Sequence, residues 1–187
     1  MKIKLFLLAL VVGTQWAALA QETADPIVVK PSLSYTKEQL DRLVPRARPE
    51  DVSSPEAIVK ALHEAVSGPK GDWNPERLRS LCVPNVFFEN FGKNEDKTLN
   101  LSTWSLDKTI EGFRVLHKAT SWYMQVSDLE VTIEKGKSAD RAIAVVNYNG
   151  SDGPTPKEPV ATGGKPTTTA TLIFMNDRWY VLSHTWL

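Results

Sequence analysis

The 187-residue chain balances 22 Lys+Arg against 22 Asp+Glu, is 42% hydrophobic and has one cysteine. Such a charge leaves no electrostatic footprint for nucleic acid or an anionic membrane surface. The single Cys82 excludes an internal disulfide framework, and no cluster of Cys, His and carboxylate stands at metal-ligand spacing, so neither a metal nor a cofactor is expected.

In chain order, Met1-Lys2-Ile3-Lys4 is a short basic region, Leu5 to Val12 is apolar, and Ala18-Leu19-Ala20 is a small-residue cleavage site before Gln21. That is the pattern of a secretory signal peptide, residues 1–20, and implies export to the periplasm or beyond, with no stable membrane anchor after cleavage. The apolar run is shorter than the ~20 residues a spanning helix needs. Removing it takes away Lys2 and Lys4 and no acid, leaving a net charge of −2 on a length suited to one domain. Residues 21–52, with Pro26, Pro31, Pro45 and Pro49, read as an extended leader in which Tyr35 to Val44 is one short helix.

The domain, 53–187, starts at Ser53-Ser54-Pro55-Glu56, a capping signature with proline at the first helical position. Ile58, Val59, Leu62, Ala65 and Val66 give one apolar face at helical spacing, and Gly68-Pro69 stops the helix. Asn74-Pro75-Glu76 caps a second, short helix whose buried side is Leu78, Leu81 and Cys82, ended by Pro84. Val86-Phe87-Phe88 is a strand, and the polar stretch after it reads as loop. Ser105 and Asp107 open a third helix with Leu106, Ile110, Phe113 and His117 inward.

From Trp122 the period changes to two. Trp122, Met124 and Val126 alternate in one phase and Leu129, Val131 and Ile133 in the other, so a bulge is expected near Ser127-Asp128. Arg141 to Tyr148 is the partner strand, and the Gly- and Pro-rich stretch Asn149 to Pro166 is a long loop. Two β-rich runs then flank Asn176-Asp177, a hairpin signal. The order implies an α+β fold: three N-terminal helices on a strongly curved, mostly antiparallel sheet.

Three motifs make the chain look familiar: Ala65-Val66-Ser67-Gly68-Pro69-Lys70-Gly71-Asp72-Trp73, Leu78-Arg79-Ser80-Leu81-Cys82-Val83-Pro84 and the terminal Arg178-Trp179 to Trp186. They resemble the NTF2-like superfamily, in particular small secreted bacterial members of unassigned role. The resemblance covers 53–187 and implies a cone-shaped sheet around helices, an apolar pocket at its open end, and a homodimer through the sheet. That family includes isomerases, cyclases, dehydratases and hydrolases, so the fold alone selects no reaction. The isomerase branch places a general-base Asp where this chain has Asn90, after Glu89, and an oxyanion Tyr on a helix that here, Glu56 to Ser67, has none. An amide cannot accept that proton.

Three titratable groups remain as candidate catalytic residues. His184 alternates with Tyr180, Leu182 and Trp186, and so is expected on their face, opposite Trp179 and Val181. Glu89 and His63 complete the set, and Asn90, Trp104, Tyr180 and Trp186 are the expected pocket residues. His117 lies where a helix C-terminus favours a cation. Of Asn147 and Tyr148, only one can face the pocket. Two functions fit: a non-catalytic module binding a hydrophobic small molecule or a protein, or an acid–base enzyme acting on such a molecule. Trp179 and Val181 are assigned to structure.

Overall fold

A computed structural model describes residues 35–93, 96–137, 140–157 and 165–186. The segment read as a signal peptide and the expected leader as far as residue 34 lie outside them.

Among the described residues, four α-helices, α1 (Lys37–Leu43), α2 (Pro55–Ala65), α3 (Glu76–Leu81) and α4 (Leu106–Ala119), accompany six strands. The strands are β1 (Cys82–Lys93), β2 (Leu99–Ser105), β3 (Tyr123–Lys135), β4 (Ala142–Gly153), β5 (Thr168–Met175) and β6 (Arg178–Trp186). They form one open sheet in the order β2-β1-β6-β5-β4-β3, antiparallel except for β1 beside β6. The fold class is the α+β arrangement expected, and α2 and α4 cover the inner face.

Local sequence explains most boundaries. Thr36 and Gln39 form a reciprocal capping box on α1. The Ser54 hydroxyl accepts from the Ala57 N–H at 3.1 Å, with Pro55 beginning α2. Ser105 caps α4 in the same way. Asn176 and Asp177 adopt φ of 54° and 60°, the paired left-handed conformation of a two-residue hairpin turn, between Met175 and Arg178.

Residues 35–52 pack on the domain rather than trailing from it. Leu40 and Val44 are core residues, and Asp51 in the 3-10 turn Pro49–Val52 is buried. Arg77 of α3 grips Asp51 through two parallel bonds, of 2.9 and 2.8 Å, and reaches Glu64 of α2 at 2.7 Å. These partners hold the guanidinium pKa above its ordinary value, Asp51 contributing most.

The Gly-Pro loop after α2 closes the C-terminal end of α4. Gly71 donates its N–H to His117 O at 3.0 Å from φ +142°, which favours glycine. His117 is fully buried, donates Nε2–H to Val66 O at 3.0 Å and stacks on Trp73 at 5.7 Å. Trp73 donates to Ala65 O at 2.8 Å. The Ser-Gly-Pro…Asp-Trp motif is thus a structural clasp, and His117 is bonded within it.

The bulge expected near Ser127-Asp128 is present. Register shifts between Ser127 and Glu130, and Asp128 takes φ of 54°. The strand read at Val86-Phe87-Phe88 runs from Cys82, read as the end of the second helix, to Lys93. Three further readings change. Leu99–Ser105, read as loop, is strand β2, an edge whose leucines point outward, so that its alternation carries no core signal. Asn149 to Gly153, read as loop, extends β4 along β3.

The third change bears on the site. On β6, Val181 pairs with Leu172 but Ser183 pairs with Thr171, so Leu182 is an extra residue, a second bulge. It reverses the alternation. His184 and Trp186 face inward with Val181 and Trp179, and Tyr180 faces outward with Ser183 and Thr185.

Candidate functional site

Register places the inward side chains in rows. Trp104 of β2 aligns with Phe88 of β1, His184 of β6, Ala170 of β5 and Val146 of β4. The adjacent row runs Asn90, Trp186, Thr168, Tyr148. Tyr148 and His184 are two strands apart, a span of ~9.6 Å at the usual strand spacing. Ala170 between them has no side chain beyond Cβ, so the phenol crosses over β5. Tyr148 Oη then contacts His184 Nε2 within hydrogen-bonding distance. His63, on the inner face of α2, brings Nε2 to within 3.4 Å of the same oxygen.

His63 Nδ1 lies 3.0 Å from Val59 O, which only a protonated Nδ1 can satisfy. The proton assignment that follows is a directed chain. His184 Nε2–H donates to Tyr148 Oη, whose O–H donates to His63 Nε2, and His63 Nδ1–H donates to Val59 O. His184 Nδ1, also buried, has no partner among the described residues.

Burial sets the protonation of this cluster. His63, Tyr148 and His184 are 3%, 0% and 1% exposed. Desolvation pushes His63 down to about 4, opposed by its bond to Val59, and holds His184 well below 6.5, with His63 adding in the same sense. Desolvation also raises the Tyr148 phenol well above 10. All three groups are neutral at pH 7. The His184 ring is enclosed by Trp186, edge-on at 4.3 Å, and Phe88 at 6.0 Å. Burial likewise pushes the Cys82 thiol up, so it is protonated and inert.

Beyond Trp186 the inner face opens into an apolar cavity of about 460 Å³. Trp104, Trp186, Phe113 and Leu116 form its walls, Thr109 and Gly112 of α4 complete them, and the Lys108–Glu111 pair, 2.8 Å apart, lies at its side. A separate cavity of about 320 Å³ between α2 and β3, lined by Lys60, His63, Glu64, Met124, Gln125 and Val126, reaches the cluster at His63.

The structure therefore joins His63 to His184, and Trp104 to Trp186, but not all the expected residues. Glu89 is on the outer face, accepting from Thr185 Oγ1 at 3.1 Å, because side chains alternate from inward Phe88. Asn90 shares the inner side but stands exposed, outside the lining of the apolar cavity. Tyr180 is buried on the outer side, with Arg178 at 4.2 Å over its ring and Leu40 and Pro45 about the adjoining cavity; the Leu182 bulge puts it there. Tyr148 was not among the expected site residues. Its one sequence signal is alternation with Asn147, which turns out to be the outward member, bonded by Thr169 at 2.8 Å.

The fold and its site define an open-sheet α+β domain with an enclosed His–Tyr–His chain beside an aromatic-walled cavity. Similar solved structures include a provisionally named dehydratase of the NTF2-like family from Streptomyces avermitilis. Its identity is 19% over 72% of this chain and 93% of that one, with a TM-score of 0.39. NTF2-like proteins of unknown function from Pseudomonas putida KT2440 and Shewanella baltica OS155 are also similar. The first has 12% identity over 70% of this chain and 81% of that one, TM-score 0.41. The second has 11% over 70% and 86%, TM-score 0.36. At these values the likenesses bring no activity with them. No protein-family profile matches the chain, and no curated protein does.

Proposed function

We propose that this protein is an exported domain that binds a flat, apolar small molecule in the Trp104–Trp186 cavity without transforming it. The observation that carries this reading is the separation of cavity from chemistry. The walls are mostly aromatic and aliphatic, with the Lys108–Glu111 pair at one side, whereas His63, Tyr148 and His184 lie behind Trp186, neutral and enclosed. Sites of this size and lining take ligands through apolar contact, with few polar groups to fix orientation. Export rests on residues 1–20 and is tested by N-terminal sequencing of the protein recovered from outside the cytoplasm, where Gln21 is the expected first residue.

Binding is tested with a neutral aromatic probe, following tryptophan emission, alongside native mass spectrometry of protein from its own host. Quenching should saturate. Gly112→Phe should weaken binding by at least about tenfold while leaving the melting curve unchanged. A Cβ at Gly112 meets nothing within 4 Å, so the ring enters the cavity at little cost to the fold. Unquenched emission together with no co-purified molecule would sink the proposal.

One observation favours a second reading, acid–base catalysis: His63 and His184 converge on Tyr148 Oη within hydrogen-bond reach, and His63 borders the smaller cavity. A general base works best with a pKa near ambient pH, and burial sets His63 well below that. A His63 or His184 ring resonance titrating between pH ~6 and ~8 by NMR would favour the enzyme over the binding module.

A further inference from the structure

Among the described residues, five buried side-chain polar atoms have no hydrogen-bond partner: Thr109 Oγ1, His117 Nδ1, Trp122 Nε1, Arg178 Nε and His184 Nδ1. Of these five residues, Thr109 alone lines the apolar cavity. A threonine within a helix ordinarily bonds back to the carbonyl four residues earlier, which here is Ser105 O. Thr109 Oγ1 makes no such bond, so α4 leaves one hydroxyl unanswered in a mostly apolar wall. Lys108 and Glu111, at the side of the cavity, answer each other at 2.8 Å and stand mostly exposed. Thr109, Gly112, Phe113 and Leu116 follow at i, i+3, i+4 and i+7, and so share the face of α4 turned to the cavity. Gly112 is the bare place on that face, where a Cβ would meet nothing within 4 Å.

We infer that Thr109 selects the occupant of the Trp104–Trp186 cavity by a hydrogen bond, an inference that rests on the cavity being a binding site. The occupant is a neutral aromatic molecule carrying a hydroxyl or carbonyl oxygen, its ring over Gly112 and its oxygen on Thr109 Oγ1. Side chains at i and i+3 on a helix start ~5–6 Å apart. That is about the half-width of an aromatic ring, its substituent oxygen and one O–H···O bond of ~2.8 Å. A ring laid on the bare surface at Gly112 therefore brings its oxygen within reach of Thr109. A threonine hydroxyl has one proton to donate and two lone pairs to accept with, so it serves a phenol or a ketone. The one charged pair at the cavity is already matched, which favours a neutral occupant over an ionised one. Oγ1 is itself enclosed, and a turn about χ1 exchanges it with the methyl group. Holding no hydrogen bond, it breaks none in turning.

The test is equilibrium dialysis of the purified protein at pH 7 against 2-naphthol and 2-methylnaphthalene, which differ only in a hydroxyl for a methyl. Thr109→Val makes the same exchange on the protein. It should move the ratio of the two affinities by at least about tenfold toward the methyl compound. Thr109→Ser, which keeps the hydroxyl, should retain the wild-type ratio. Because Oγ1 has no partner to lose, Thr109→Val should melt no lower than the wild type. An unchanged ratio in Thr109→Val, with both probes displaced by Gly112→Phe, overturns the inference and leaves the cavity a binding site. If neither probe binds the wild type, the cavity reading falls and this inference with it. A lower melting temperature for Thr109→Val would show the hydroxyl bonded within the protein, and overturns the inference as well.

Discussion

Lowering the pH from 6.5 to 4 should cost the folded domain about 3 kcal/mol through His63 alone, at 1.36 kcal/mol per unit of a shift from 6.5 to about 4. Unfolded, this imidazole takes up a proton near 6.5; folded, it does so only near 4. Between those values the unfolded chain binds more protons, so stability falls as pH falls, and the loss from this group levels off below about 4. His184, depressed by burial and by His63, acts in the same direction. Urea midpoints at pH 7, 5.5 and 4.5 should fall for the wild type and fall less for His63→Gln. Identical slopes for the two proteins would show that His63 is not neutral in the fold.

Trp179→Ala should cost about 3–5 kcal/mol and His184→Ala about 2–4 kcal/mol, because both side chains sit on the inner face of β6. Trp179 is 6% exposed and packs against Phe174 at 5.3 Å; His184 is 1% exposed and anchors Tyr148. Thr185→Ala, one position from His184 but outward, with its hydroxyl bonded to Glu89, should cost less than about 1 kcal/mol. Denaturant melts of the three variants read out the phase of the strand. If Thr185→Ala matched His184→Ala, the inward assignment of His184 would fail. A pocket group that could be truncated freely is not what a side chain this enclosed can be.

What the sequence made legible is what short range decides. The caps of α2 and α4, the Asn176-Asp177 turn and the bulge at Ser127-Asp128 each follow from a few adjacent residues. The Asp128 bulge is visible because a polar pair interrupts two apolar phases. The Leu182 bulge is hidden because Val181 and Leu182 are both apolar, so either phase fits the pattern. Strand β2 escaped for a related reason: its leucines face solvent, against the rule that reads apolar alternation as burial. Tyr148, His63 and His184 lie far apart in the chain; register across β4, β5 and β6, with Ala170 leaving the gap, brings Tyr148 to His184, and the packing of α2 on the sheet adds His63. The candidate histidines could be named from the sequence. Their shared hydroxyl could not.

The extra residue at Leu182 gives β6 one residue of slack. Upstream of it, the strand is locked by the hairpin turn at Asn176-Asp177; downstream, by pairing with β1 from Phe87 to Asn90. Losing Leu182 between those anchors would bring Ser183↔Thr171 directly after Val181↔Leu172, with His184 and Trp186 still inward and Thr185 still outward. The strand can shed that residue and keep its pattern of faces; what it would lose is the local bend and added twist that the bulge supplies.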